Sequence, residues 1–402
     1  MVSEATVKVL RTTSEVEEIR PSWGSWQGNP DADIDFYLSF FRPGTEIERP
    51  HVIVVYREGT PDAILVGRID RRVMNFRIGY ARFGPEANIL FFVAGALRGN
   101  PSFENKELLV REICRSLSRR EADVAYLNLL RIDSDLFKLA KEIPGFSCRD
   151  HFSVTQPHFT TTIPKNSDEF YRSLGPKTRQ ELRRKQQKLE KEISGPIRIR
   201  CFREVAEFDQ AMSAAEEVAK KSYLRGLGVG FNVSPQTRAA LRVKAQKGWL
   251  RTYVLYAGDR PLAFWMGDLL GGTFGGNFTG YDPDMAKYSP GMYLMTKVIE
   301  DFCNAEATDV TKIDFGPGGA PYKASLGKRD ADEAPLYIFS RSWKGVKLNL
   351  LRSLTAGIHE PLKKALERTK LLGKIKKAWR NRAGQKARAL HKMIPSPAER
   401  EK

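Results

Sequence analysis

Two stretches of the chain carry the same local instruction. "VVYREGTPDAILVGRI" and "YVLYAGDRPLAFWMGDL" each read as a β-rich run, a short turn containing glycine and a second apolar run. Around both lies one order: strand, helices, antiparallel meander, helix, strand. In the first half "TVKVLR" and "ANILFFVAG" read as strands and Ser14 to Trp26 as a helix. "NKELLVREICRSLSRRE" sets Leu108, Ile113 and Leu117 at helical spacing ahead of the β-rich "DVAYLNLL". The second half runs through "PIRIRCF", the helix "VAEFDQAMSAAEEVAKKS", three strands between Leu250 and Tyr281, a helix from Pro290 and the strand "VTKIDF". This repetition predicts an internal duplication. The fold class is α/β (α+β), with two tandem domains of mixed, mostly antiparallel sheets flanked by helices. The expected division is 1–158, 159–340 and a basic helical tail, 341–402.

At 402 residues the chain exceeds what one core usually holds. The longest apolar run, "NILFFVAGAL" from Asn88 to Leu97, is about half the length of a membrane span. The first twenty residues have no apolar signal region, so a cytoplasmic location is expected. Cys114, Cys148, Cys201 and Cys303 form no CxxC pair, and the five histidines have no paired spacing. No metal site or disulfide framework is expected.

The net charge of +18 is unevenly placed: Ser340 to Lys402 holds 18 Lys and Arg against 4 acids, a net +14. Leu351, Leu354, Ile358, Leu362 and Leu366 recur there at helical spacing, continued by Leu371, Ile375 and Trp379. Such a tail suits docking on the protein's own core. It also suits an anionic membrane surface or another polyanion, peripheral to the inner face of the membrane.

"TGYDPDMAKYSPGMYLMTKVIEDF" (279–302) runs from a strand through a polar turn into an amphipathic helix with Met292, Met295, Ile299 and Phe302 on its apolar stripe. Pro290 suits the first helical position, which puts Ser289 at the N-cap. The amides of Gly291, Met292 and Tyr293 are then expected to project from the helix end without intrahelical partners. With the helix dipole behind them they would suit a phosphate or pyrophosphate. The strand "VTKIDF" should lie parallel to the strand before the turn, the setting in which α/β folds place phosphate-bearing ligands. The charged helix "PKTRQELRRKQQKLEKE" suits a solvated face or an anionic substrate.

"GYDPDMAKYSPGMYL" followed by "IDFGPGGAPYKASLG" resembles the GNAT acetyltransferase superfamily, and most closely its BioF2-like/CelD-like branch, relatives of the Fem peptidyltransferases. "FYRSLGPKTRQELRRKQQKLEKE" and "WGSWQGNPDADIDFY" fit the same branch. The resemblance implies two tandem GNAT-like domains, the C-terminal one catalytic, with acyl-CoA (acetyl-CoA foremost) bound by Tyr288, Ser289, Gly291, Met292 and Tyr293. Tyr288 stands where the family's motif has Arg or Gln, and Tyr293 where it has a second small residue. "YKASLG" resembles the Fem signature with Leu326 in place of an aromatic.

Acyl transfer needs a proton acceptor, a stabilised carbonyl oxygen and a proton for the leaving thiolate. Asp314 is the candidate base, Tyr322 the proton donor and Lys323 the oxygen's partner, the last two implied by the resemblance. Ser222, Tyr223 and Asn277 are candidate contacts to a small-molecule, saccharide or peptide acceptor. No nucleophile–base pair is visible, so direct attack in a ternary complex is the expected course. Two alternatives stay open: a Fem-like peptidyltransferase using aminoacyl-tRNA, and a non-catalytic scaffold that binds polyanions or a membrane.

Overall fold

The computed structural model describes residues 4–26, 28–42, 44–74, 76–78, 81–193, 195–222, 225, 230–304 and 309–368. The chain divides into two compact units: unit 1 is Met1–Pro157 with Ala331–Thr369, and unit 2 is His158–Asp330 with Lys370–Lys402. The last ten residues of the segment expected to be the second domain, and the head of the expected tail, therefore go with unit 1.

In unit 1, β1 (Ala5–Leu10) is followed by helices α1 (Thr13–Glu18), α2 (Arg20–Ser25) and α3 (Ile34–Leu38). The single helix expected from Ser14 to Trp26 is thus two, broken where Pro21 can give no amide to a continuing ladder. Then come β2 (Ile47–Pro50), β3 (Val52–Arg57), β4 (Thr60–Val73), the hairpin β5 (Phe76–Ile78) and β6 (Ala81–Phe83), β7 (Glu86–Gly99), α4 (Phe103–Ser118), β8 (Val124–Arg131) and α5 (Asp135–Glu142). The sheet order is β1-β3-β4-β7-β8, with β2 on β4. All neighbours are antiparallel except β7 and β8, which run parallel.

Unit 2 contains β9 (Gln156–Thr162), α6 (Ser167–Ser173), α7 (Pro176–Glu192), β10 (Ile197–Phe202), α8 (Phe208–Lys221), α9 (Pro235–Gln246), β11 (Leu250–Ala257), β12 (Arg260–Leu270), β13 (Thr273–Tyr281), α10 (Pro290–Asn304), β14 (Lys312–Pro317) and α11 (Pro321–Leu326). Its sheet order is β10-β11-β12-β13-β14-β9, again antiparallel except for the parallel pair β13 and β14. The Gly-rich segment expected as a turn after β14 contains the short helix α11.

The duplication extends to register. Val55 faces Ala63 and Tyr56 faces Pro61 in unit 1; Leu255 faces Ala263 and Tyr256 faces Pro261 in unit 2, with the same one-residue irregularity in each hairpin. Gly67 and Gly267 are both glycine for packing reasons. A Cβ would fall 2.7 Å from the Phe92 ring in one and 2.2 Å from the Gly275 carbonyl in the other.

A strand edge left bare is a pairing hazard, and each unit covers the outer edge of its last parallel strand. In unit 1 the cover for β8 is β15 (Lys328–Phe339), antiparallel from Glu333 against Arg131 to Phe339 against Val124. In unit 2 β9 covers β14, Thr160 lying opposite Asp314. The strand completing unit 1 thus arrives only after the whole of unit 2's sheet has been laid down. Helix α12 (Trp343–Arg368) follows it.

Unit 2 buries one core on each sheet face. Trp265 and Phe274 pack with Leu294, Val298 and Ile299 of α10, and Phe264 and Met266 pack with Met212, Ala215 and Val218 of α8.

Candidate functional site

β13 and β14 pair over only three positions, Thr273 with Lys312, Phe274 with Ile313 and Gly275 with Asp314. Beyond Gly275 β13 stays on β12 but has no strand on its other side among the described residues. The two parallel strands therefore part at Gly275 and Asp314. A β-bulge opens at the same place: Gly276 faces Gly267, Phe278 faces Met266, and Asn277 is the extra residue. The bulge reverses the alternation, so Phe274 packs on the α10 side and Phe278 on the α8 side. Asn277 is drawn into a buried network. Its Nδ2 donates to Asp268 Oδ2 at 2.6 Å, and the buried Lys244 donates to the same oxygen at 2.5 Å. Asn277 itself is exposed and reaches this buried pair from the bulge.

At the far end of β13, Asp282 caps a 3-10 turn, Pro283–Tyr288. Its fully buried carboxylate accepts from Arg260 at 2.5 Å and Lys221 at 3.3 Å, and from the Asp284 amide at 3.1 Å. Burial opposes its charge, but these partners hold its pKa below the ordinary carboxylate value. Lys221 ends α8 and Ser222 is its C-cap; Tyr223 lies outside the described residues.

The turn delivers Ser289 in a left-handed conformation, φ +53°. A non-glycine residue pays about 1–2 kcal/mol to sit there. Its carbonyl accepts from the Tyr293 amide at 3.1 Å, so Tyr293 does not offer the free N–H expected of it. The fourth helical amide is the first that can reach back to the N-cap. The free amides are two, Gly291 and Met292, which have no acceptor among the described residues. A Cβ on Gly291 would meet only the Tyr281 ring, at 3.7 Å, so packing does not require glycine there.

Tyr288 and Tyr293 are buried. The Tyr293 hydroxyl donates to Glu190 of α7 at 3.0 Å. Lys287 and Lys188 sit over the Tyr288 ring, 4.5 and 5.8 Å from its centre. Both tyrosines anchor the helix end through their side chains, and the flanking charge comes from the two lysines. No acid occupies the first turn of α10.

Where the strands part, Asp314 Oδ1 accepts from His158 Nε2 at 2.7 Å and from the Gly316 amide at 2.7 Å. Asp314 is thus both a cap for the glycine turn and half of a His–Asp pair. Sequence reasoning missed His158, because 156 residues separate the two and only the pairing of β9 with β14 unites them. The side chains are 14% and 35% exposed for His158 and Asp314. Desolvation works against the Asp314 charge, but His158 and the Gly316 amide hold its pKa below the ordinary value. Oδ2 has no partner among the described residues.

Tyr322 and Lys323 belong to α11. Tyr322 packs edge-on to Phe315 with centroids 6.4 Å apart, and burial raises its pKa. Its hydroxyl has no partner among the described residues. Lys323 donates to the Pro317 carbonyl at 2.8 Å, bracing the glycine turn, and burial lowers its pKa despite the nearby Asp314. Among the described residues no group of three or more His, Cys, Asp or Glu is placed to hold a metal ion.

Residues 176–324 match the family model described as Acetyltransferase (GNAT) domain. Three solved structures are among those similar to this chain. A conserved protein of unknown function from Bacteroides thetaiotaomicron VPI-5482 is 12% identical, with a TM-score of 0.48 over 84% of this chain and 100% of that one. A tandem GNAT protein from the clavulanic acid biosynthesis pathway is 10% identical, with a TM-score of 0.48 over 84% of this chain and 99% of that one. FemX is 11% identical, with a TM-score of 0.46 over 82% and 96%. No curated protein matches the sequence.

Proposed function

Taking residues 176–324 as a GNAT acetyltransferase domain, we propose that unit 2 transfers an acyl group from acyl-CoA, acetyl-CoA foremost, to an amine or hydroxyl of its acceptor. The observation that carries this reading is the parting of β13 from β14 at Gly275 and Asp314, with a His–Asp pair at its root and an uncapped helix end after β13. The residues present fit a pyrophosphate. Two amides point out of α10, Gly291 leaves room for close approach, no acid opposes the charge, and Lys188 and Lys287 lie beside the turn.

When bound, the thioester supplies an acyl carbon activated by a good leaving group. The chain's own residues do the rest. Ionised Asp314 attracts the acceptor ammonium with its second oxygen; the ammonium sheds one proton to solvent, the free amine attacks the acyl carbon, and the His158–Asp314 pair takes the second proton as the new C–N bond forms. On its own Asp314 is a weak base, because its partners depress its pKa. The unpaired main chain of β13 beyond Gly275 offers N–H groups to the carbonyl oxygen. Tyr322 keeps its proton at neutral pH and gives it to the departing thiolate as the carbon–sulfur bond breaks. Lys323 serves the oxygen only by leaving Pro317; otherwise it stiffens the turn.

Thermal-shift titration tests the donor. CoA or acetyl-CoA at a hundredfold its dissociation constant should add about 2.7 kcal/mol of stability. No shift with CoA, acetyl-CoA or longer acyl-CoAs, in folded protein, removes acyl-CoA as donor and moves the aminoacyl-tRNA reading ahead of it.

A further inference from the structure

Helix α12 carries apolar side chains on two opposite faces. One face is docked within unit 1. Leu348 is buried, and the Asn349 amide donates to the carbonyls of Ser147 and Arg149 at 2.8 and 3.1 Å. Arg352 makes two hydrogen bonds to the buried Asp150 carboxylate, at 3.0 and 2.9 Å. At helical periodicity Trp343, Leu350 and Leu354 fall on the opposite side, and they are 74%, 59% and 55% exposed. A helix docked by one face ordinarily turns charged residues outward. Here the outward stripe is Trp and Leu. Lys347 shares the stripe, its ammonium 4.9 Å from the centre of the Trp343 ring, and exposed Arg341 precedes the helix. Phe146, in the turn that α12 packs against, is 79% exposed. The chain from Ser340 onward carries the net +14 charge.

We infer that this face of unit 1 is a docking surface for an anionic phospholipid bilayer. Trp343, Leu350 and Leu354 enter the boundary between headgroups and acyl chains, and the basic side chains meet lipid phosphates. Charge alone would fit a nucleic acid equally well. An exposed Trp–Leu–Leu stripe has no use on a phosphate backbone, but it is what an interfacial helix buries. The contact is peripheral, since no helix among the described residues is long and apolar enough to cross a membrane.

Vesicle flotation of the full chain tests this. Vesicles of phosphatidylcholine with a third phosphatidylglycerol should carry the protein, and pure phosphatidylcholine should not. W343S/L350S/L354S should lower the bound fraction at least tenfold at physiological salt, with an unchanged melting temperature and unchanged tRNA binding. Should that variant fold poorly, vesicles with brominated acyl chains replace it. They should quench wild-type tryptophan fluorescence, and Trp343→Phe should lose that quenching. The inference is overturned by a folded triple variant that floats like the wild type, by no flotation or quenching of the wild type, or by a wild-type dimer in light scattering that the triple variant dissolves.

Discussion

The two units of this chain reach the same strand junction and finish it differently. In unit 1, β7 and β8 stay parallel until Phe92 meets Leu127; in unit 2, β13 and β14 stay parallel until Gly275 meets Asp314. The last residue of the second strand to pair with the first is thus a buried leucine in one and a hydrogen-bonded carboxylate in the other. The helix that follows the first strand differs too. Helix α4 is plugged: the Ser102 hydroxyl accepts from the Asn105 amide at 3.2 Å, and the Asn105 side chain donates to Asp62 at 2.7 Å. Glu104 puts an acid in its first turn. Helix α10 has no acid in its first turn, and among the described residues its Gly291 and Met292 amides have no acceptor. Closing a helix end with side chains stabilises a domain; leaving it open gives up about 1 kcal/mol and leaves room for a ligand. We read unit 1 as the structural copy and unit 2 as the working one.

The sharpest way to break this contrast is at the strand ends. Asp314→Asn should lower kcat by about 10²- to 10³-fold while the CoA-induced thermal shift survives, in the range that general acid–base groups contribute. His158→Gln should behave alike; a variant of either with wild-type kcat would remove the pair from the mechanism. Leu127→Ala in unit 1 should affect stability alone.

Next comes the turn. Asp282→Ala removes the cap of the turn and the partner of the partly exposed Arg260 and Lys221, and should cost about 1–2 kcal/mol in denaturant unfolding and weaken CoA binding with it. A loss confined to stability would mean that the turn does not shape the ligand site.

The helix ends sharpen the comparison directly. Gly291→Val should weaken CoA binding at least tenfold in a titration, with little change in melting, because the space beside Gly291 is open. Ser102→Ala should do the opposite, costing about 1 kcal/mol of stability and leaving CoA affinity alone. If the two substitutions had the same effect, the assigned division of labour would be wrong.

The smallest effect concerns acid. Fully buried His51 in unit 1 bonds to Ser116, and burial pushes its pKa down to about 4 from the ordinary 6.5. The unfolded chain takes that proton first, so the associated stability is complete above about pH 6.5 and declines as pH falls toward about 4. Asp282 and Asp314 in unit 2 have lowered pKa values, so what they add persists until pH drops below the ordinary carboxylate range near 3.8. Hydrogen exchange at pH 7 and pH 5 should show unit 1 amides losing protection first; equal loss in both units would set this assignment aside.

Local chemistry determined a good deal on its own. The hairpins around Tyr56 and Tyr256, the Pro290 helix start and the basic α7 each depend on neighbours within a few residues, and all were readable from the sequence. So were the positions of Asp314 within the strand after α10 and of Gly291 directly after the proline that starts that helix. What only the tertiary structure decided depends on distant segments meeting. The pairing of β9 with β14 gave Asp314 its histidine. Covering the bare edge of β8 sent residues beyond 330 back to unit 1. A bulge of one residue turned Asn277 toward Asp268. Hydrophobic periodicity reports which side of a strand is apolar; it carries no information about which strand will lie beside it, or where the alternation slips.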